Sequence, residues 1–368
     1  MSAAFDIIAI LFGLTALFAF VNHKLIGLPM TIGMLLFGLV ASLVIIVADA
    51  AYPAFSLAEA LTKLLREVDF YETLMQGMLG FLLFAGALHV DLDDLRARKY
   101  AIAIMATLGV MVSTVLVGTG AYYVFQAVGA PVPYLVCLVF GALISPTDPV
   151  AVLGVLKSLT IPSSLRAKIA GESLFNDGVG VVVFTILAAI AFRSGGEPVT
   201  AASVGILFLQ EAVGGVALGL LTGGLVHVAM RRIDEYVVEI MLTIALVTVT
   251  YAVARHLHVS GLIAVVVAGL LIGNIGIDKA MSAKTQEHLH NFWTLIDEML
   301  NAILFLLIGM EVIVLGFELS YFAAGLAAIP LVLLARWLSV GASIAALRPF
   351  REFTGGAVTV LTWGGLRG

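Results

Sequence analysis

The sequence predicts an all-α polytopic membrane protein. Three observations carry that prediction. Of the 368 residues, 61% are apolar and only 12% are charged, whereas soluble domains hold about half apolar and about a quarter charged residues. Mean hydropathy is +1.12. The apolar residues gather into runs near the length of about 20 residues that a helix needs to cross a bilayer. Barrel strands would be about 10 residues long and would alternate, so helices fit and strands do not. Disorder requires low hydrophobicity and high net charge, and the net charge here is only −5. At about 20 residues per span and roughly 10 per connection, the length holds about a dozen spans and no separate soluble catalytic domain. Residues 1–368 therefore read as a single membrane domain.

Charged and Gly/Pro clusters divide the chain into twelve candidate helices: 5–21, 25–48, 72–90, 99–128, 133–156, 165–192, 200–230, 236–255, 259–275, 290–315, 320–346 and 355–368. Met1–Phe5 has no basic n-region and no small-residue cleavage site follows, so the first run reads as a retained span. Residues 52–70 carry Pro53, Glu59, Lys63, Arg66, Glu67 and Asp69 among leucines, which suits an external amphipathic helix. The twelfth run reaches Gly368 after about 14 residues, short of the about 20 that a crossing needs. A native chain continuing beyond Gly368 is the expectation.

Orientation follows from lysine and arginine placement. If the loop holding Lys24 is cytoplasmic, the same side receives Arg96, Arg98, Lys99, Lys157, Arg166, Lys168, Arg231, Arg232, Lys279, Lys284, Arg348 and Arg351. That is 13 of the 19 basic residues. The opposite side receives the 4 residues Lys63, Arg66, Arg193 and Arg255, and Arg336 and Arg367 fall inside spans. The bias places the N-terminus outside.

A charge at mid-bilayer costs about 2.5–3.5 kcal/mol on insertion scales, so such residues mark function. Asp148 lies in Ile144-Ser145-Pro146-Thr147-Asp148-Pro149, midway along the fifth span. Pro146 and Pro149 each remove a backbone donor and should break the helix there. Freed backbone groups at that depth are tolerated where they line a cavity or are buried in protein. The sixth span carries Gly171-Glu172-Ser173-Leu174-Phe175-Asn176-Asp177-Gly178. Ser173 and Asp177, four apart, share one helix face, and Glu172 and Asn176 share the adjacent one. Oxygen ligands suit hard cations. A carboxylate removed from water also holds a proton more readily, so a proton and a cation can compete for one group. That competition is the chemistry of an exchanger.

Arg336 interrupts the eleventh span, and a buried cation needs an anionic partner. Glu172 is the candidate partner, which leaves Asp177 and Asp148 for ions. The twelfth run contains Gly364-Gly365-Leu366-Arg367-Gly368, whose three glycines weaken a helix. Interrupted helices in two halves of a transporter point to a binding site at an inverted-repeat interface.

Weaker signals remain. Gly215, Gly219 and Gly223 recur every four residues in the seventh span, a face for close packing within the protomer or between subunits. Asp297, Glu298 and Asn301 could line a cytoplasmic funnel or simply be solvated. The single Cys137 excludes a disulfide framework. Nothing suggests nucleic-acid binding. Neither HExxH nor GxSxG occurs, which argues against an intramembrane enzyme, and no repeated filter loop argues for a channel.

With these residues in place, the sequence resembles the cation:proton antiporters of the NhaP/NHE type. The resemblance is carried by Ser145-Pro146-Thr147-Asp148-Pro149-Val150-Ala151-Val152, Gly171-Glu172-Ser173-Leu174-Phe175-Asn176-Asp177-Gly178, Ala335-Arg336 and Gly364-Gly365-Leu366-Arg367-Gly368. Leu83-Phe84-Ala85-Gly86-Ala87-Leu88 also looks like the family's third helix. The resemblance implies an inverted-repeat fold with broken, crossing helices 5 and 12, and interleaved dimerisation and core subdomains. It implies exchange of Na⁺, Li⁺ or K⁺ for H⁺ with no cofactor, by a homodimer in a prokaryotic inner membrane or plasma membrane. Asp177 would be the shared proton and cation carboxylate, with Asp148, Thr147 and Ser173 near the ion and Asn176 supporting them. Glu172 and Arg336 would pair, and Arg367 with the two prolines would organise the site. The Asn176-Asp177 pair resembles that of electroneutral members. Ala85 stands where many prokaryotic relatives carry an acid, so no role of that acid transfers. A cation channel and an organic-solute/proton symporter are the alternatives.

Overall fold

The computed structural model describes residues 2–52, 78–147, 163–192, 201–276, 281–315, 319–347 and 357–363. Every described secondary-structure element is helical, and each of the twelve runs contains a helix. In chain order these are α1 Ser2–Val21, α2 Met30–Ala51, α3 Leu79–Leu88, α4 Leu92–Ala127, α5 Tyr134–Ile144 and α6 Ser163–Ala191. There follow α7 Ala201–Met230, α8 Tyr236–Leu257, α9 Gly261–Leu271, α10 Ala283–Met310, α11 Leu319–Leu347 and α12 Ala357–Trp363. Among the described residues, eight of these helices are long and apolar enough to cross a membrane, and α3, α5 and α9 are shorter apolar helices. The chain is thus an integral membrane protein. The proposed amphipathic segment lies almost wholly outside the described residues, as do Asp148, Pro149, Arg367 and the run Gly364–Gly368.

The chain forms two compact units, Met1–Ala85 with Glu287–Phe317, and Gly86–Gln286 with Glu318–Gly368. In the first, α1 runs into a π-helical turn, Asn22–Ile26, which Gly27 ends in the left-handed region at φ 72°. The Asn22 side chain donates to the Leu28 carbonyl at 2.8 Å and holds the reversal before Pro29 opens α2. The core of this unit gathers Met34, Met78, Phe305, Leu306 and Met310. Here α2 and α10 meet backbone to backbone. A Cβ on Gly38 would lie 2.6 Å from the Leu306 carbonyl oxygen, and one on Gly309 would lie 2.6 Å from that of Leu35. Ser42 bridges the same crossing by hydrogen bonding to the Gly309 carbonyl at 2.9 Å.

The second unit is built on α4, 36 residues long, against which α5, α6 and α11 pack. Gly141 lets α5 rest on the Thr114 carbonyl of α4, and Gly118 accepts Leu138 in return. The glycine face of α7 is taken up inside the chain. Gly215, Gly219 and Gly223 stand against Ser260, Ala264 and Ala268 of α9, so both helices contribute a small residue every four positions. Ser260 caps α9 by accepting from the Ile263 amide at 3.3 Å. At its other end α9 tightens into a π-helical turn, Ile272–Gly276. There the Asn274 amide donates to the carbonyls of Val90 (3.0 Å) and Leu270 (2.9 Å), and its oxygen accepts the Leu92 amide at 2.7 Å. One side chain thus bonds backbone groups both at the start of α4 and at the end of α9.

Candidate ion-binding site

The fifth run is interrupted where its prolines stand. α5 ends at Ile144, and Ser145-Pro146-Thr147 continue without helical hydrogen bonding. Pro146 has no N–H to offer the preceding turn. The Ser145 hydroxyl donates to the Gly141 carbonyl at 2.6 Å and receives a 3.3 Å contact from the Thr114 hydroxyl of α4. The loose end of α5 is therefore anchored to α4 by hydroxyls rather than by continued helix.

Thr147, the last described residue of the break, is held by α6. Its backbone N–H donates to Asn176 Oδ1 at 3.4 Å, while Asn176 Nδ2 donates to Thr147 Oγ1 at 2.8 Å. The Ser173 hydroxyl lies 3.1 Å from the same Thr147 oxygen. All three residues are buried. Ser173 and Asn176 are three apart, which also places them on one face of the helix. Asn176, which by spacing shares a face with Glu172, reaches Thr147 together with Ser173, because the Thr147 hydroxyl sits between the two. Asp177 follows directly, half-buried on the same turn of α6. The structure thus brings Thr147, Ser173 and Asn176 together at the helix break, and Asp177 is the next residue along α6. Oxygens of this kind suit a hard cation stripped of its water.

Glu172 faces away from this cluster toward α11. Arg336 Nη1 donates to Glu172 Oε1 at 2.6 Å, with both side chains almost fully enclosed, and Arg336 Nη2 donates to the Leu361 carbonyl of α12 at 3.2 Å. The geometry is that of a charge-assisted hydrogen bond. Asn301 donates to Asp297 at 3.2 Å within α10 and is buried, so that pair is partly turned inward rather than simply solvated.

Two contacts had no signal in the sequence. The Leu361 carbonyl as a second acceptor for Arg336 is a backbone group and carries no residue-type signature. Gly180 is the other. A Cβ there would collide with the ring of Pro146, so the break in α5 approaches α6 only because residue 180 has no side chain. Overpacking a close contact of this kind costs about 1–3 kcal/mol. Gly180→Ala is expected to lower the melting temperature of the purified protein. It should also weaken transport, since the ring must move with Thr147 attached to it. An unchanged melting temperature and transport rate would show that Pro146 has slack the structure does not suggest.

The chain is similar to known proteins along nearly its whole length. Residues 10–368 match the family model described as sodium/hydrogen exchanger, transmembrane. The chain is 49% identical over 368 residues to the Na⁺/H⁺ antiporter NhaP of Pseudomonas aeruginosa, covering 99% of this chain and 86% of that protein. It is 31% identical over 347 residues to the Na⁺/H⁺ antiporter NhaH of Halobacillus dabanensis, covering 94% and 82%. The fold is that of the sodium proton antiporter MjNhaP1 from Methanocaldococcus jannaschii, with TM-score 0.74 at 20% identity, covering 100% of this chain and 84% of that structure. These relatives are transporters rather than enzymes. With a family model matched almost end to end and the interrupted fifth helix clasped to the Asn-Asp turn of the sixth, this chain belongs to the sodium/hydrogen exchanger family.

Proposed function

We propose that this protein exchanges Na⁺, or the related ions Li⁺ and K⁺, for H⁺ across a membrane. The observation that supports the reading is the clasp between the break in α5 and α6, in which buried Thr147 meets Ser173 and Asn176, the residue just before Asp177. In the cycle, Asp177 holds either a proton or a cation. The hydroxyls of Thr147 and Ser173, with Asp148 next in sequence, replace water around the dehydrated ion, and Asn176 keeps the broken strand of α5 in place. One carboxylate alternating between one proton and one monovalent cation makes the exchange electroneutral. Movement of the site-bearing helices then exposes Asp177 to either side in turn, the usual course for transporters built from interrupted helices. Arg367 and the prolines Pro146 and Pro149 organise the site. The bias of basic residues supports an N-terminus on the outer face of a prokaryotic inner membrane or plasma membrane. A homodimer with surrounding lipid is the working unit.

Reconstitution into liposomes tests the reading. Gradients of Na⁺, Li⁺ and K⁺ are applied over a pH series, and internal pH is followed. Saturable, cation-driven proton movement that leaves the membrane potential unchanged is the expected result. Single-channel currents at fixed pH would instead make the protein a channel. Proton movement driven by an organic solute and by none of the three cations would make it a symporter.

A further inference from the structure

Glu239, in the first turn of α8, is 0% exposed, and the exchange cycle gives it no task. Tyr236, Val237 and Val238 just before it are exposed, so Glu239 is the residue of this turn that points inward. Among the described residues, nothing is hydrogen bonded to either of its carboxylate oxygens. The contrast is with Glu172, which is enclosed to a similar degree but has Arg336 at 2.6 Å.

The surroundings of Glu239 supply no compensating cation. α8 packs against α7 and α9. α9 holds no titratable residue. On α7 the titratable side chains are Glu211, toward the opposite end, and His227, and neither is hydrogen bonded to Glu239. On α8 itself, Arg255 and His256 stand at the far end. In the connection from α7 to α8, Arg231, Arg232, Asp234 and Glu235 are exposed, as is Lys284 at the start of α10. Asp234 acts on Glu239 as a like charge, and its Oδ1 accepts the Thr285 hydroxyl at 3.3 Å. The Glu235 backbone N–H lies near the carboxyl without closing a hydrogen bond. One turn on, the buried Thr243 hydroxyl donates to the Ile240 carbonyl at 2.8 Å.

An ionised carboxylate enclosed without donors or a counter-cation is very costly, and such a group becomes neutral instead. The positive end of the α8 dipole favours an anion, but that effect is small beside the loss of hydration. Two partners can neutralise the group, a metal ion or a proton. Among the described residues, no three His, Cys, Asp or Glu side chains gather to hold a metal ion. No described hydroxyl is hydrogen bonded to Glu239, unlike the Thr147–Ser173 pair of the ion site, so a dehydrated cation finds no second ligand of that kind there. A proton needs no further ligand.

We propose that Glu239 is a second proton site, apart from Asp177, whose resident proton is not exchanged and whose neutral acid form is the one that α7, α8 and α9 pack around. Above about pH 4.3, the ordinary glutamate value, an unfolded chain gives up this proton while the folded chain keeps it. The folded state then binds more protons than the unfolded state, so this site makes stability fall as pH rises.

Two variants test the site. Glu239→Gln fixes the neutral state in nearly the same shape, and Glu239→Met puts an apolar side chain of similar length in its place. Each is purified beside the wild type. Melting temperature is followed from about pH 5 to about pH 9, and infrared difference spectra against wild type are recorded for the carbonyl band of a protonated carboxyl. Both variants should fold with yields within about twofold of wild type, because neither loses a charge that the fold uses. Glu239→Gln should melt with the wild type near pH 5 and about 3 °C or more above it near pH 9. The protonated-carboxyl band of the wild type should be missing from both variants. Equal pH dependence of melting in Glu239→Gln and wild type, or no missing band, would overturn the proposal. Failure of both variants to fold would do the same, since the charge would then be required. Loss of sodium-driven exchange in a folded variant would place Glu239 in the ion path and overturn the resident role. Should one variant fold poorly, the other carries both readouts. The melting and infrared results stand apart from the exchange reading, whose own failure shows as wild-type liposomes that exchange nothing.

Discussion

Asp177→Asn is expected to abolish exchange while leaving the protein folded. The substitution keeps the shape of the side chain and the neighbouring Asn176–Thr147 clasp, whose bonds do not use the Asp177 carboxylate. It removes the two properties the cycle needs. A carboxamide carries no charge to compensate a dehydrated cation, and it cannot alternate between protonated and deprotonated forms. A hydrogen bond or contact to a charged group contributes about 1.5–3 kcal/mol, enough for a loss of roughly ten- to a hundredfold in cation affinity. The absent proton site removes the remaining turnover. In proteoliposomes, sodium-driven proton movement should fall to background, with elution profile and melting temperature close to wild type. Exchange that persists would move the carrier role to another carboxylate, and Asp148 would be the first to test.

Glu172→Ala has a different expected signature. Arg336 would remain almost fully enclosed with its Leu361 contact but without its anion. Breaking a buried pair by removing one partner costs about 3–5 kcal/mol, because the other charge is left uncompensated. That is a large part of the about 5–15 kcal/mol that typically separates folded from unfolded protein. Folded yield should drop steeply, since near the stability threshold each loss of about 1–2 kcal/mol lowers abundance several-fold. The fraction that does fold keeps Thr147, Ser173, Asn176 and Asp177 in place, so its apparent KM for Na⁺ should stay within about twofold of wild type. Intact yield with an altered KM would contradict the division of labour between Glu172 and Asp177.

Much of the fold was legible because a membrane chain has so little polar material. Each of the twelve apolar runs holds a helix, since a segment of that composition can satisfy its backbone in lipid only by coiling on itself. The stop at Ile144 was legible because proline acts locally, whatever the surroundings. The partnership of Glu172 and Arg336 followed from charge alone, since a lone cation at that depth is too costly.

Other features depend on residues far apart in the chain. Asn274 joins α9 to the start of α4 across 182 positions, and an asparagine near a helix end looks the same whether or not it does so. Gly180 matters only because the ring of Pro146 happens to lie against it. The glycine face of α7 announced close packing but not its partner; Ser260, Ala264 and Ala268 of α9 supply the matching small residues. The Leu361 carbonyl is invisible to any reading of side-chain types, yet it gives Arg336 its second contact.

If a proton and a cation compete for the same carboxylate, binding the cation must release the proton. Na⁺ is titrated into the purified protein by calorimetry, in buffers of different ionisation enthalpy, at a pH low enough that the site is protonated beforehand. Linkage requires that a cation displacing a proton releases it to the buffer. Release approaching about one proton per sodium bound is expected, falling toward zero as pH rises, with no release from Asp177→Asn. Sodium binding to the wild type with no proton released at any pH would contradict it.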